Sequence, residues 1–125
     1  ETASQAATMA AKAHPETRKF ADDLIQGVIA HADDLDDVIG RYAENWSVKR
    51  MAITDRTVLR IAVYELLHMP DIPGRVTLNE AVDIVRLFGD EQSGAFVNGI
   101  LDCILREEPR LQAKAREAMP SVAHD

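Results

Sequence analysis

Apolar residues recur three and four positions apart along most of the chain, which is the spacing of amphipathic helices rather than of strands. The segment TDRTVLRIAVYELLHMP shows this spacing most clearly. Thr54 is expected to cap its helix, and Pro70 follows the predicted end. The buried stripe of this helix is expected to contain Leu59, Ala62, Val63 and Leu66. The pattern therefore predicts an all-α fold.

Proline, aspartate and glycine mark the predicted ends of the other helices. Pro15 suits the first turn of one helix, and the pair Asp33-Asp34 is expected to cap the next. The segment Thr77-Leu-Asn-Glu80 matches a capping box, in which the two outer side chains satisfy each other's backbone donors. It is predicted to begin a helix that stops at Gly89.

The last core helix is predicted to begin near Asp90, whose charge suits the positive end of a helix dipole. Its apolar run GAFVNGILDCI contains Asn98 and Gly99, although both residue types disfavour a helix interior. We expect Gly99 to let a neighbouring helix approach closely, with Asn98 and Asp102 forming a polar seam beside it. A larger side chain at position 99 is then expected to destabilise the fold.

The two ends of the chain are predicted to be helical. The segment 2–13 is Ala-rich and weakly amphipathic, and residues 109–125 form a charged tail that is expected to be peripheral. Between the second and third core helices, Trp46 is expected to anchor a connector in the core. Residues 1–125 are therefore interpreted as a single domain, a compact bundle of about six to seven helices.

Composition excludes several classes of protein. The single cysteine, Cys103, excludes an internal disulfide and suits a reducing compartment. No apolar run reaches the ~20 residues that a membrane-spanning helix needs, so we expect a cytoplasmic protein without membrane contact. The balance of 14 Lys+Arg against 21 Asp+Glu gives a net charge of −7, which argues against a general nucleic-acid coat. Residues 41–60 are nevertheless mainly basic, beside an acidic stretch over 21–40.

The sequence contains no pattern typical of catalysis. The four histidines are scattered, without the spacing of a helical metal site, and no glycine-rich phosphate loop or nucleophile motif is present. We therefore expect a protein that is not an enzyme and that holds neither a metal nor a cofactor.

Several sequence blocks follow one another in a characteristic order and spacing from Phe20 to about Ile104: FADDLIQGV, TDRTVLRIAVYELL, VTLNEAVDIVRLFG, FGDEQSGA and FVNGILD. In this order and spacing they resemble the NusB family of bacterial transcription antitermination factors. The resemblance implies two small helical bundles and a non-enzymatic role in binding boxA-type ribosomal RNA together with NusE, a small-subunit ribosomal protein. It also implies an antitermination complex with RNA polymerase. Whether the chain forms a homodimer is left open.

The resemblance also implies which residues meet RNA and which meet the protein partner. Phe96 could stack on a base or be a core aromatic, and Arg60 could meet RNA or pair with Glu65 or an aspartate of the acidic stretch. Asp55 is also explained as a first-turn helix acid, and Arg56 as part of an ordinary charged surface. The candidate RNA-binding residues are Tyr42, Arg56, Arg60, Gln92, Ser93 and Phe96. The candidate partner-binding residues are Glu44, Asp55 and Tyr64.

The chain departs from the family pattern in two places. Family members begin with an Arg-rich helix that supplies much of the RNA contact, whereas this sequence begins at Glu1 without an Arg cluster. We expect that this helix is missing from the sequence. Ala95 also stands where a basic residue is often found. Two alternatives are a NusB-like N-terminal domain of a ribosomal RNA cytosine methyltransferase, and a helical interaction module without RNA binding.

Overall fold

The computed structural model describes residues 15–44 and 47–118, and these residues are almost entirely helical. The six α-helices are α1 (Pro15–Ala30), α2 (Ala32–Tyr42), α3 (Ile53–His68), α4 (Gly74–Phe88), α5 (Glu91–Glu107) and α6 (Gln112–Ala118), with 3-10 turns at Val48–Arg50 and Pro109–Leu111. This confirms the predicted all-α fold and the number of helices. The predicted helix over residues 2–13 and the predicted anchor Trp46 lie outside the described residues.

Helix α3 packs against α1 and α2 and also against α4 and α5. These two small groups of helices share one core, and the predicted stripe of α3 is buried in it. Helix α2 adds Leu35, Val38 and Ile39, which are fully buried. Helix α1 contributes no buried residue, and the ring of its Phe20 remains 51% exposed. The largest buried side chains include Leu35, Ile39, Leu59, Leu78, Leu101 and Ile104.

Two of the predicted helix caps are wrong in position. Helix α3 begins at Ile53, so Thr54 lies inside its first turn, and the backbone N–H of Arg56 donates to the carbonyl of Ala52 at 2.9 Å. In α2 the pair Asp33-Asp34 lies within the first turn, one and two positions after the helix start. Carboxylates there still favour the helix through its dipole, without capping it directly.

The capping box predicted at Thr77 is also wrong, because α4 begins one turn earlier, at Gly74. Pro73 precedes that start with an extended backbone conformation, which a residue before a helix commonly adopts. Thr77 is therefore an interior residue, 2% exposed, and its hydroxyl donates to Glu65 Oε1 at 3.2 Å. The same side chain that was predicted to cap α4 instead joins α4 to α3.

The predicted boundary between α4 and α5 is confirmed. Helix α4 ends at Phe88 and is followed by Gly89. Asp90 is the N-cap of α5, and its carboxylate accepts a hydrogen bond from the backbone N–H of Ser93 at 2.9 Å. This cap fixes the first turn of α5, which carries the candidate RNA-binding residues Gln92 and Ser93, with Phe96 in the next turn.

The segment after Pro109 is helical as predicted, but its first part is not peripheral. Glu108, Leu111 and Lys114 are only 2%, 3% and 5% exposed. Lys114 Nζ donates to the backbone carbonyls of Glu65 at 3.1 Å and Met69 at 2.8 Å. Both carbonyls also accept a backbone hydrogen bond, from the N–H groups of Met69 and Ile72, so Lys114 is a second donor to each. Its positive charge also suits the negative C-terminal end of the α3 dipole. The tail therefore closes the end of the central helix.

The predicted close helix crossing at Gly99 is wrong. Gly99 is exposed, and a Cβ added there would meet no atom within 4 Å. Asp102 pairs with Arg106 at 3.0 Å and Arg75 at 3.8 Å, while Asn98 is exposed, so no polar seam joins Asn98 to Asp102. A helical wheel gives the face on which a glycine lies, but not whether another helix covers that face.

A close approach does exist at Gly74, which leads to a paired prediction. A Cβ on Gly74 would lie 2.6 Å from Leu105 Cδ1, and Leu105 is only 1% exposed. We expect Gly74→Ala to destabilise the protein by about 1–3 kcal/mol. Gly99→Ala should be neutral or stabilising by about 0.5–1 kcal/mol, since it removes backbone entropy from an exposed helix. Thermal melts followed by circular dichroism provide the test. A Gly99→Ala protein that melts as low as Gly74→Ala would contradict this packing.

The buried amine of Lys114 leads to a second prediction. Lys114→Met keeps an apolar stem but leaves two carbonyls with fewer donors, so we expect a loss of about 1–3 kcal/mol in the free energy of unfolding. The matched control is Gln112→Met, because Gln112 is exposed on the same short helix. Urea unfolding of both variants measures the difference. Equal midpoints would show that Lys114 does not hold the tail on α3.

Candidate nucleic-acid and protein interface

Two adjoining grooves share the side chain of Phe96. The first, about 500 Å³, lies between the start of α3 and the start of α5 and includes Arg50, Asp55, Gln92 and Ser93 in its lining. The second, about 550 Å³, lies between the end of α2 and α5. Its lining includes Arg41, Tyr42, Glu44, Ala95 and Gly99. We call the combined area the Phe96 surface, defined by Arg41, Tyr42, Glu44, Arg50, Asp55, Gln92, Ser93 and Phe96.

Helix α5 positions the three candidate residues nearest the centre of this surface. Gln92 and Phe96 are four positions apart and therefore lie on the same side of the helix, with Ser93 beside them. Phe96 is half-buried: part of its ring packs against the core while the ring also lines both grooves. The two interpretations of Phe96 are thus compatible, because core packing holds the ring at the surface in a defined place.

Asp55 links the start of α3 to α5. It is 8% exposed, and the hydroxyl of Ser93 donates to its Oδ2 at 3.4 Å. Burial raises the pKa of Asp55, and the charge of Asp90 raises it further, while the hydrogen bond from Ser93 lowers it. The candidate partner residue Asp55 and the candidate RNA residues Gln92 and Ser93 therefore line one groove rather than two separate surfaces.

Tyr42 and Arg41 form the edge of the second groove. The hydroxyl of Tyr42 donates to Glu108 Oε1 at 3.3 Å, and burial together with the Glu108 charge raises the pKa of Tyr42. The guanidinium carbon of Arg41 lies 5.9 Å from the centre of the Tyr42 ring, within the range of a cation–π contact. Glu44 is exposed beside them. An aromatic ring and a cation thus stand together across the groove from Phe96.

Arg60 lies away from the Phe96 surface and is held by an aspartate of the acidic stretch. Its Nε and Nη2 donate to the two carboxylate oxygens of Asp36 at 2.6 and 2.7 Å, a bidentate geometry. The hydrogen bond from Arg60 to Asp36 raises the pKa of the guanidinium. The ion pair offered as the alternative for Arg60 is therefore the arrangement in the structure.

Tyr64 and Arg56 also line neither groove of the Phe96 surface. The Tyr64 ring contacts the imidazoles of His31 and His68, with ring centres 5.7 and 4.8 Å away. It packs so closely on Gly27 that a Cβ there would overlap the phenol. Arg56 is half-buried, and its Nε has no hydrogen-bond partner within residues 15–44 and 47–118. The Arg56, Arg60 and Tyr64 stripe is thus separate from the Phe96 surface.

Arg41 is the functional candidate that the sequence did not single out. Arg41 belongs to the basic stretch over residues 41–60 and lies in the last turn of α2. The spacing of apolar residues does not show which other helix its side chain lies beside. Arg50, a basic residue of the same stretch, lies in the 3-10 turn Val48–Arg50. The sequence showed only that residues 41–60 are mainly basic. The structure shows that Arg41 and Arg50 line the grooves that contain Phe96.

The described part of the chain contains neither a cluster of metal-ligating side chains nor a membrane-spanning helix. Within residues 15–44 and 47–118, no three His, Cys, Asp or Glu side chains come close enough together to hold a metal ion. None of the helices described combines the length and the apolar character needed to cross a bilayer. Cys103 is a free, half-buried thiol whose Sγ lies 3.7 Å from Glu107 Oε2.

Comparisons with known proteins agree with this architecture. The family model described as the NusB family matches residues 1–106. The transcription antitermination protein NusB of Myxococcus xanthus is 47% identical over 102 residues, covering 82% of this chain and 73% of that protein. The protein of the same name from Geobacter sulfurreducens is 50% identical over 92 residues, covering 74% of this chain and 67% of that protein.

A solved structure is similar as well. The chain matches T. maritima NusB with a TM-score of 0.72 and 46% sequence identity, over 75% of this chain and 66% of that one. The NusB protein of Thermodesulfovibrio yellowstonii is 45% identical over 93 residues, which are 62% of its length. The matches thus span roughly two thirds of their relatives. In sequence and in fold, they show that this chain belongs to the NusB family.

Proposed function

We propose that this protein is a transcription antitermination factor that binds boxA-like single-stranded ribosomal RNA together with a NusE-type ribosomal protein, and so enters an antitermination complex with RNA polymerase. The relatives named above are called transcription antitermination proteins, which favours this role over a methyltransferase domain. The observation that carries the proposal is the Phe96 surface, where a partly exposed aromatic ring stands between two grooves beside Arg41 and Arg50.

The chemistry of this surface suits unpaired nucleotides. Every base has an aromatic face, and stacking on a protein ring contributes about 1–3 kcal/mol per base. Phe96 offers such a ring, and Tyr42 offers a second one across the same groove. Arg41 and Arg50 are exposed and can neutralise phosphates. Arg41 makes longer ion pairs, 3.6 Å to Asp37 and 3.5 Å to Glu108, whereas Arg60 is held by Asp36 in a shorter bidentate pair. We therefore assign RNA contact to Phe96, Tyr42 and the two arginines that lie near them.

The carboxylates of the same surface suit a basic protein partner. Glu44 is exposed at the edge of one groove and Asp55 lies at the base of the other. Both repel phosphates, and the whole chain carries a net charge of −7. A cationic ribosomal protein that covers these carboxylates would remove the repulsion and add its own positive charge. We therefore infer that RNA binds weakly to this chain alone and more tightly with the partner.

Fluorescence anisotropy with a labelled boxA-like RNA tests the proposed site. Phe96→Leu keeps apolar bulk against the core but removes the aromatic face, so the loss of one stacked base should weaken binding roughly 5- to 150-fold. The matched control is Phe88→Leu, because Phe88 is also exposed but lies at the end of α4. Circular dichroism checks that both variants remain folded.

The salt dependence of the same titration measures phosphate contacts. Each neutralised phosphate adds about 0.7 to the slope of log affinity against log salt for a single strand. We expect Arg41→Gln to lower the magnitude of that slope by about this amount. If folded Phe96→Leu binds RNA as tightly as the parent and Phe88→Leu, with or without the ribosomal protein, RNA does not use the Phe96 surface.

A further inference from the structure

A third groove, on a different part of the molecule, lies between α3 and α4. Its volume is about 400 Å³. The base of the groove is apolar and consists of aliphatic side chains from both helices: Val58, Ile61, Ala62, Ala81 and Ile84. None of its lining residues belongs to the Phe96 surface. We call it the α3–α4 groove.

The rim of this groove is acidic and contains no cation. Glu65, Glu80 and Asp83 are its charged lining residues. Glu80 and Asp83 are exposed, and neither makes an ion pair within residues 15–44 and 47–118. A rim of this sign repels phosphate and attracts Lys or Arg. The charge pattern is therefore opposite to what a nucleic-acid site needs.

Glu65 extends the acidic character from the rim toward the buried floor. It is half-buried between α3 and α4, and its carboxylate accepts a hydrogen bond from Thr77 at 3.2 Å. Burial is the largest cause of its raised pKa and the charge of Glu80 raises it further, while the hydrogen bond from Thr77 and the charge of Lys114 lower it. A carboxylate in this position gains from an arriving cation, because the cation offsets both the burial and the neighbouring negative charge.

Helix α4 continues the apolar base of the groove along its exposed face. Ile84 is 44% exposed, Val76 lies two turns before it with 45% exposed, and Leu87 lies beyond it with 80% exposed. Aliphatic side chains exposed in one line along a helix, with acids between them, are typical of a surface that another protein covers. The pattern matches a partner segment that alternates aliphatic and basic residues.

We propose that the α3–α4 groove docks a Lys- or Arg-bearing segment of the ribosomal-protein partner, with an aliphatic side chain seated against Ile61 and Ile84. The identity of the partner rests on the proposed function, whereas the choice of a basic segment rests on the charge of the rim. The partner would then contact both the α3–α4 groove and the carboxylates of the Phe96 surface. One protein can reach both places, because each includes residues of α3. RNA occupies only the Phe96 surface.

Isothermal titration calorimetry with the NusE-type ribosomal protein of the same organism tests this docking. The groove variant is Glu80→Lys/Asp83→Lys, because both side chains are exposed and can be replaced without disturbing the core. The matched control is Asp22→Lys/Asp71→Lys, which makes the same change in net charge at exposed positions away from the groove. We expect the groove variant to bind the partner at least tenfold more weakly than the control variant. Ile84→Asn should weaken it as well.

Each outcome of this experiment decides something different. If the parent chain binds the ribosomal protein and the groove variant binds as tightly as the control, the docking inference is wrong while the proposed function stands. If the parent chain shows no binding, the proposed partner is wrong and the docking inference fails with it. Loss of boxA-like RNA binding in the groove variant alone, measured without the partner, would assign the groove to RNA. A parent dimer that becomes a monomer in the groove variant, in light scattering, would assign it to a second copy.

Discussion

Burial of the apolar stripe of α3 is the constraint on which the rest of this structure depends. Leu59 and Val63 are fully buried, and each buried aliphatic side chain contributes about 1.5–3 kcal/mol. The flanks of α3 are held by different chemistry: Arg60 pairs with Asp36 of α2, and Lys114 closes the C-terminal end. Because α3 contacts α1, α2, α4 and α5, the Phe96 surface and the α3–α4 groove are both edges of this one arrangement.

The proposed division between RNA and protein follows from charge. The chain is acidic as a whole, so RNA is expected where cations and aromatic rings come together, as Arg41, Tyr42 and Phe96 do. Arg60 is not assigned to RNA, because Asp36 of α2 takes up its charge. Between α3 and α4, Glu80 and Asp83 make no ion pair within residues 15–44 and 47–118, which suits the basic segment proposed to dock there. On these proposals, RNA and protein occupy different surfaces of the same helices.

Periodicity was sufficient to predict the helices and the buried face of α3, because burial of a stripe follows directly from spacing. It was not sufficient at Thr77, which matches a capping pattern although the helix already begins after Pro73. The Thr77 hydroxyl instead donates a hydrogen bond to Glu65 of α3. Periodicity also failed at Gly99, which faces open space, and gave no signal at Gly74, which Leu105 covers. Six candidate residues lie together at the Phe96 surface, whereas Arg56, Arg60 and Tyr64 lie elsewhere. Helical spacing does not predict this difference, because tertiary contacts decide which helix faces lie next to each other.

Nuclear magnetic resonance of the isotope-labelled chain during titration with boxA-like single-stranded RNA tests the central claim most directly. Backbone amide shifts report which face meets the RNA without any substitution that could disturb the fold. We expect the largest changes to cluster at residues 41–44, 50–55 and 90–99, with little change at Asp36, Arg60 and Tyr64. Changes centred on Arg60 and Tyr64, with residues 90–99 unaffected, would contradict it.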